Sequence, residues 1–328
     1  MRTSLKYLKH QEIDKEKWDR CVRQSSQSLL YALSFYLDIV APNWAAIVDE
    51  QDNEYLFVMP LTTQTRYGIT FLHQPLFCQQ LGVFFSSSFS MPLAYQTQMV
   101  QIILKHYRFA SHYHLNIQNN EYDPSLSNFQ TSTRYTHLLP LRETYRVIYQ
   151  NYSLDRKKNL KRAQKANLNI IESTDIEPLI QIFDMDISKK IKGGIAKNSY
   201  HLLRKIYQEL HQRKMCRLLY TQNSAGEINA GALFAFHQNQ IIYLFNAAYT
   251  HARKENGRML LIDYIIKTAS NSDAIFDFES PEIASIAYFY KSFGAKPTPY
   301  QVISFNYLPT WTNLLWSAKK KLKSLLKV

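Results

Sequence analysis

A chain of 328 residues exceeds what one ordinary hydrophobic core fills and falls short of three, so length favours two domains. Apolar residues make up 46% and aromatics 14%, with 23 Tyr and 18 Phe, which excludes intrinsic disorder. The net charge of +13 names a partner only by sign, because nucleic acid, anionic lipid and phosphorylated small molecules attract cations through the same Coulomb interaction.

The chain opens with helices. Asp14 is placed to cap one over DKEKWDRCVRQ, and ALSFYLDIV forms another that Pro42 stops. WAAIV, EYLFVMPL and ITFLH are short apolar runs parted by the polar turns DEQDN and TTQTRYG, a strand meander. A helix is expected over Leu93 to Tyr107 and a strand over HYHLNIQ, where His112 and His114 share a face. With no third ligand in view, no metal site is expected.

Past Thr144 a basic helix, RVIYQNYSLDRKKNLKRAQKA, starts a second series in the same order. Helices are expected over Thr174 to Ile187 and Tyr200 to Arg213, then strands CRLLYT, INAGALFAF and IIYLFNAAY turned at NSAGE and HQNQ. The pattern repeats although residue identity between the halves is poor, which reads as a duplicated unit with its boundary near residue 145. RKENGRMLLIDYIIKTAS then fits a helix opened by Gly257, and AIFDFES a strand. Ser280 and Pro281 start a helix over ASIAYFYKSF, which Gly294 ends before the strand YQVISFNYL. Strands and helices mixed in this way make an α/β chain with mixed sheets.

The last residues, 309–328, set Trp311, Leu314, Leu315, Leu322, Leu325 and Leu326 on one helical side with five lysines around it. Such a basic amphipathic helix lies on an anionic membrane or docks on the protein through its leucines. Cys21, Cys78 and Cys216 form no CxxC pair, MRTSLKYLKH lacks an apolar signal core, and no window reaches ~18 uninterrupted apolar residues. The expected location is the cytoplasm, with the tail as a peripheral contact to the inner face of the membrane. No GxSxG, HExxH or Walker loop occurs, so serine-hydrolase, zincin and P-loop chemistries are set aside.

Several residues carry candidate chemistry. Arg253 to Gly257 end a strand and open a helix, where unpaired backbone N–H groups and the positive end of the helix dipole hold a phosphate, unless the segment is an ordinary basic turn. Glu279 follows FDF at the carboxyl end of the sheet, placed to orient or deprotonate an amine or to serve as a surface acid beside a helix. Asp277, two residues earlier, is expected on the same face as a second carboxylate. Asn246 could bond an acyl amide or be satisfied by neighbouring backbone. Arg156, Lys157, Lys161, Arg162 and Lys165 recur at spacings that give one charged helix face, for phosphates on a nucleotide-linked substrate, a lipid head group or tRNA, or simply for solvent.

The run IIYLFNAAYTHARKENGRMLLIDYIIKTA followed by FDFESPEIASIAYFYKSFGA resembles the core of GNAT acyltransferases, specifically the tandem-GNAT branch that includes the Fem-type peptidoglycan transferases. YSLDRKKNLKRAQKANL is similar to the basic helix that opens the catalytic half of FemAB-like sequences, and HQPLFCQQLGVF is similar to other members of the branch. The resemblance implies two tandem GNAT-like domains of the acyl-CoA N-acyltransferase fold. Residues 1–144 would be a non-catalytic domain and 145–308 the domain with the donor site. It implies transfer of an acyl or aminoacyl group to an amine of a small molecule or cell-envelope precursor, without a tightly bound cofactor. Acyl-CoA is the expected donor substrate, and aminoacyl-tRNA the Fem-like alternative. Asn246, Arg253, Lys254, Asn256, Gly257 and Arg258 would hold the donor. Arg156, Lys157, Lys161 and Arg162 would hold substrate phosphates. Tyr290, in FYKSFGA, stands where many GNAT enzymes place the tyrosine that protonates a leaving thiolate, a role weighed against plain packing. The family pattern Arg/Gln-x-x-Gly-x-Gly/Ala is one residue longer here and lacks the final small residue, which weakens the coenzyme A reading. The rival from another class is a non-catalytic membrane-surface protein on the same fold.

Overall fold

The computed structural model describes residues 5–85, 93–119, 129–188, 194–279 and 282–309. The expected cap at Ser280 and Pro281 and the amphipathic tail from residue 310 onward lie outside the described residues. The chain divides into two compact units, Met1–Thr133 with Tyr300–Val328, and Arg134–Pro299.

In chain order the first unit holds β1 (Lys6–Leu8), α1 (Lys15–Gln24), α2 (Ser34–Val40), β2 (Ala45–Gln51), β3 (Glu54–Leu61), β4 (Thr63–Arg66), β5 (Ile69–Leu72), β6 (Phe84–Phe85), α3 (Leu93–His106) and β7 (Phe109–His114). Asp14 caps α1 as its sequence position demands, its carboxylate accepting the Glu16 and Lys17 amides. The strands β1, β2, β3 and β6 form one antiparallel sheet, over which Trp18 and Trp44 pack edge to face at 4.6 Å between ring centroids. TTQTRYG, expected as a turn, is half strand: β4 pairs with β5, and only Tyr67 and Gly68, both at positive φ, make the bend. The strand expected over HYHLNIQ begins earlier, at Phe109, and stops at His114.

The second unit takes the chain through β8 (Gln130–Pro140), α4 (Tyr145–Gln150), α5 (Leu154–Lys165), β9 (Asn169–Glu172), α6 (Glu177–Asp186), α7 (Lys197–Gln212), β10 (Cys216–Gln222), β11 (Ile228–His237), β12 (Gln240–Ala248), α8 (Gly257–Ala269), β13 (Ile275–Asp277), α9 (Ala284–Lys291) and β14 (Lys296–Asn306), which re-enters the first unit at Tyr300. Neither β8 nor β9 is signalled by the residue pattern. The basic helix expected in one piece is two: the chain leaves α4 at Asn151, and Ser153 caps α5 by accepting the Arg156 amide at 3.2 Å.

The sheet of this unit runs β8-β13-β12-β11-β10-β9, antiparallel except for the parallel pair β12 and β13. Its faces are assigned by two neighbours on β11. A Cβ on Gly231 would meet Tyr220 and Leu179 of α6, whereas Ala230 faces Gly257 at the start of α8. Consecutive strand residues point to opposite faces, so α6 covers one side of the sheet and α8 the other. Between sheet and helices lies a core of Leu261, Ile262, Ile265, Phe234, Phe276 and Phe278, all 1% exposed or less.

Candidate active site

The parallel pairing of β12 with β13 ends at Ile242 and Asp277, while β12 runs on to Ala248. Beyond that point Phe278 leaves β12 and donates its amide to the His137 carbonyl at 3.1 Å. The two strands therefore splay. A register shift against β11 adds a bulge at the same place, Leu233 facing Phe245 and Phe234 facing Tyr243. Among the described residues no strand pairs with β12 past Ile242 on this side.

A cavity of about 670 Å³ opens on this splay, between the start of α8 and the side of α9. It gathers Asn246, Arg253, Arg258, Glu279 and Tyr290, which the sequence scatters over 45 positions, together with Tyr243 and Phe289. A recess of about 50 Å³ shares Arg253, Arg258 and Phe289 with it and adds Asn256 and Gly257. Lys254, also a donor-site candidate, is exposed and lines neither.

The start of α8 follows a tight turn that leaves backbone amides unpaired. His251–Glu255 form a 3-10 turn, Asn256 takes the left-handed conformation (φ 59°), and the helix follows directly. The amides of Met259 and Leu260 turn back to the Asn256 carbonyl, whereas those of Gly257 and Arg258 meet no acceptor among the described residues. Arg258 is steered by Asn246, whose side-chain oxygen accepts from its guanidinium at 3.1 Å. Asn246 is thus an arginine-orienting group on the central strand. Gly257 is needed for a reason the sequence reading did not supply. A Cβ there would stand 2.8 Å from Asn229 Oδ1 and closer still to Thr221 Oγ1, so glycine lets α8 press on the sheet. Asn229, bonded to Thr221, also donates to the Glu255 carboxylate and pins the turn from below.

Tyr290 is 6% exposed and packs against Phe278 at 4.7 Å between ring centroids. Burial pushes its phenol above the ordinary tyrosine range, with Glu279 and Asp277 adding to the rise and Arg258 opposing it. At neutral pH it is a protonated acid. Glu279 reaches the same cavity, but its backbone is left-handed (φ 47°), which ends the strand alternation. The expectation that Asp277 shares its face is therefore corrected. Asp277 lies outside the cavity lining, where its carboxylate accepts from Thr136 Oγ1 at 2.5 Å and from the Glu279 amide at 2.9 Å. It holds the bend that delivers Glu279. Desolvation raises its carboxyl to about 6.

The charged face expected on α5 is also corrected. Arg156 lies on the inner stripe with Leu160 and Ala163 and is 5% exposed. Its partners are neutral: Ser292 Oγ at 2.8 Å, the Met259 sulfur, and the rings of Phe289 and Phe293 at 4.3 and 4.7 Å. Burial lowers it to about 10, so it keeps its charge at neutral pH. Arg156 thus sets a fixed cation behind Phe289, a ring of the cavity wall. Lys161 and Arg162 remain exposed, and Lys157 bonds the Gln150 carbonyl at 2.8 Å.

The sequence reading missed Tyr243. It is 2% exposed, lines the cavity, and its hydroxyl has no hydrogen-bond partner among the described residues. A tyrosine inside the apolar run IIYLF is the signal that marks it, since a buried hydroxyl needs a partner. Among the described residues no group of three or more His, Cys, Asp or Glu is placed to hold a metal, and no helix is long and apolar enough to cross a membrane.

No family model matches the chain, and no curated protein matches it in sequence. Solved structures match it in fold. FemX superposes with a TM-score of 0.64 at 13% identity, over 96% of this chain and 99% of that chain. L-PGS from Bacillus licheniformis gives 0.55 at 9% identity, over 93% and 96%. A tandem GNAT protein from the clavulanic acid biosynthesis pathway gives 0.54 at 9% identity, over 94% and 100%. At these identities the likeness is one of fold. The chain has the mixed α/β, FemAB-like tandem-GNAT fold that its motifs resemble.

Proposed function

We propose that this tandem-GNAT chain transfers an acyl or aminoacyl group to an amine, with the donor site in the Arg134–Pro299 unit and the first unit non-catalytic. The observation that carries the reading is the splay of β12 from β13, which opens a cavity holding a phosphate cradle, an acid and a carboxylate together. The amides at the start of α8, with Arg253 and Arg258, hold the phosphate end of the donor. The edge of β12 past Ile242 hydrogen-bonds the donor carbonyl and stabilises the oxyanion that forms there. The amine nitrogen bonds to the carbonyl carbon, and its proton passes to the Glu279 carboxylate. The bond from that carbon to the leaving sulfur or oxygen breaks, and Tyr290 gives the leaving atom a proton. Holding both reactants in line supplies most of the acceleration.

The cradle bears on the choice of donor. Acyl-CoA fits its unpaired amides and two arginines. A specific feature favours aminoacyl-tRNA as the second reading: Glu255 places a carboxylate within the turn, next to where a diphosphate would add like charge. The acceptor is the amine of a small molecule or cell-envelope precursor.

Calorimetry with desulfo-CoA tests the first reading. Binding should weaken about tenfold or more in Arg258→Ala, which removes a charge-assisted contact. Silence of the folded protein toward desulfo-CoA, with aminoacyl transfer from charged tRNA to an amine, selects the second reading. No response to either donor removes the transferase proposal.

A further inference from the structure

A second cavity, of about 490 Å³, lies beside α9 on a different face from the transfer cavity. Ala284, Ala287 and Lys291, spaced along one stripe of α9, form one wall, and Tyr135 and His137 of β8 form another. The transfer cavity uses Ser285, Ile286, Phe289 and Tyr290 instead. His137 is 3% exposed, and neither of its ring nitrogens has a hydrogen-bond partner among the described residues. A buried imidazole left wholly unsatisfied is rare in folded proteins, and a ligand in the adjoining space resolves it.

We infer that this pocket is a binding site for a small amphiphilic carboxylate, with an apolar body in the slot, a polar group on His137 and its anionic end at Lys291. The charges at the rim decide the sign. Glu282 is turned to Arg134 at 3.4 Å, and Lys291 has no ion-pair partner among the described residues. The rest of the wall, with Ile283, Ala284, Ala287 and Pro297, is apolar, and Tyr135 and Ile283 are about half exposed at its edge. A neutral imidazole offers one donor and one acceptor, the pattern that a carboxylic or hydroxyl group matches. Burial, with Lys291 beside it, keeps His137 in that neutral form. The site is distinct from the proposed donor and amine positions. It is not isolated from them, because the His137 ring stands 6.2 Å from that of Tyr290, centroid to centroid.

Octanoate is the probe, with octan-1-ol and octylamine as charge controls, titrated into the full chain carrying ¹⁵N-labelled histidine. Octanoate should saturate and shift the His137 ring nitrogens, while octylamine does not. Lys291→Met, an exposed substitution, should weaken octanoate about tenfold and leave octan-1-ol unchanged, the loss expected for one charge-assisted contact. His137→Phe should abolish binding, and His137→Gln, which keeps a donor and an acceptor, should retain part of it and covers the case in which the phenylalanine variant fails to fold. Arg258→Ala should not alter octanoate binding, which separates this site from the donor cavity. Equal octanoate affinity in wild type and Lys291→Met, competition by desulfo-CoA, or no octanoate binding to folded protein would each overturn the inference.

Discussion

Tyr290 and Arg156 show what a single side chain contributes here through its surroundings. Tyr290 stays protonated because burial disfavours the phenolate, so it can serve as an acid toward a departing thiolate or ribose oxygen. Tyr290→Phe should lower kcat by ~10²-fold or more and change KM little, because the hydroxyl acts only as charge develops on the leaving group. Steady-state kinetics with a fixed acyl donor checks this, and an unchanged kcat would leave Tyr290 as packing. Arg156 carries the opposite lesson. Its place in RKKNLKR suggests a solvated or substrate-binding cation, yet the side chain threads between Phe289 and Phe293. The residue type was legible; its direction depended on helix phase, which Ser153 resets by capping α5.

At the level of elements, the cradle depends on how closely α8 meets β10 and β11. Gly257 is the contact point, since any Cβ there enters the space of Thr221 and Asn229. Gly257→Ala should therefore cost about 1–3 kcal/mol, the usual range for overpacking a tight interior. It should also weaken the donor by tilting the helix start. Thermal denaturation and calorimetry on the one variant test both, and an unaltered melting temperature would show that the helix yields without strain. β13 teaches a related point. Its three residues end in Asp277, and the side-chain oxygen that caps the Glu279 amide turns the chain out of the sheet. AIFDFES alone reads as a longer strand, because alternation cannot register a carboxylate that bonds its own backbone two residues on.

Across the whole molecule, the same Asp277 links stability to pH. Its carboxyl sits at about 6 in the folded chain against an ordinary value of 3.8. Below pH ~4 both folded and unfolded states hold the proton, and between ~4 and ~6 only the folded state does, so stability falls as pH rises through this window. Glu50, held down by Lys17, and Glu177, held down by Arg204, act with the opposite sign. The wild-type profile therefore mixes both directions, and the difference from Asp277→Asn isolates one. Asparagine still accepts from Thr136 and the Glu279 amide but does not titrate. Wild type should lose about 2 kcal/mol relative to the variant between pH 4 and pH 7, a little under the full two-unit shift because Asp277 is only half-buried. Urea midpoints at the two pH values measure it, and parallel loss in both proteins would show that the carboxyl is not raised.

The sequence by itself determined the element order, the mixed α/β class and the resemblance to tandem GNAT chains, because these rest on the periodicity of apolar residues and on caps such as Asp14 and Gly294. It also singled out Arg258, Glu279 and Tyr290, which follow a strand or lie on helices and line one cavity. Only the tertiary structure decided that Arg156 faces inward, that Gly257 serves packing, and that Tyr243 and His137 are buried polar groups beside cavities. The physical reason is that periodicity reports neighbours within one element, whereas each of these outcomes is set by atoms far away in sequence. Ser292 and Phe293 set it for Arg156, Thr221 for Gly257, and the wall of α9 for His137. β8 passed unnoticed for the same reason: the strand that holds its polar stretch QTSTRYTH lies between β14 and β13, both more than 130 residues away, and β13 meets it only at Leu138 to Pro140.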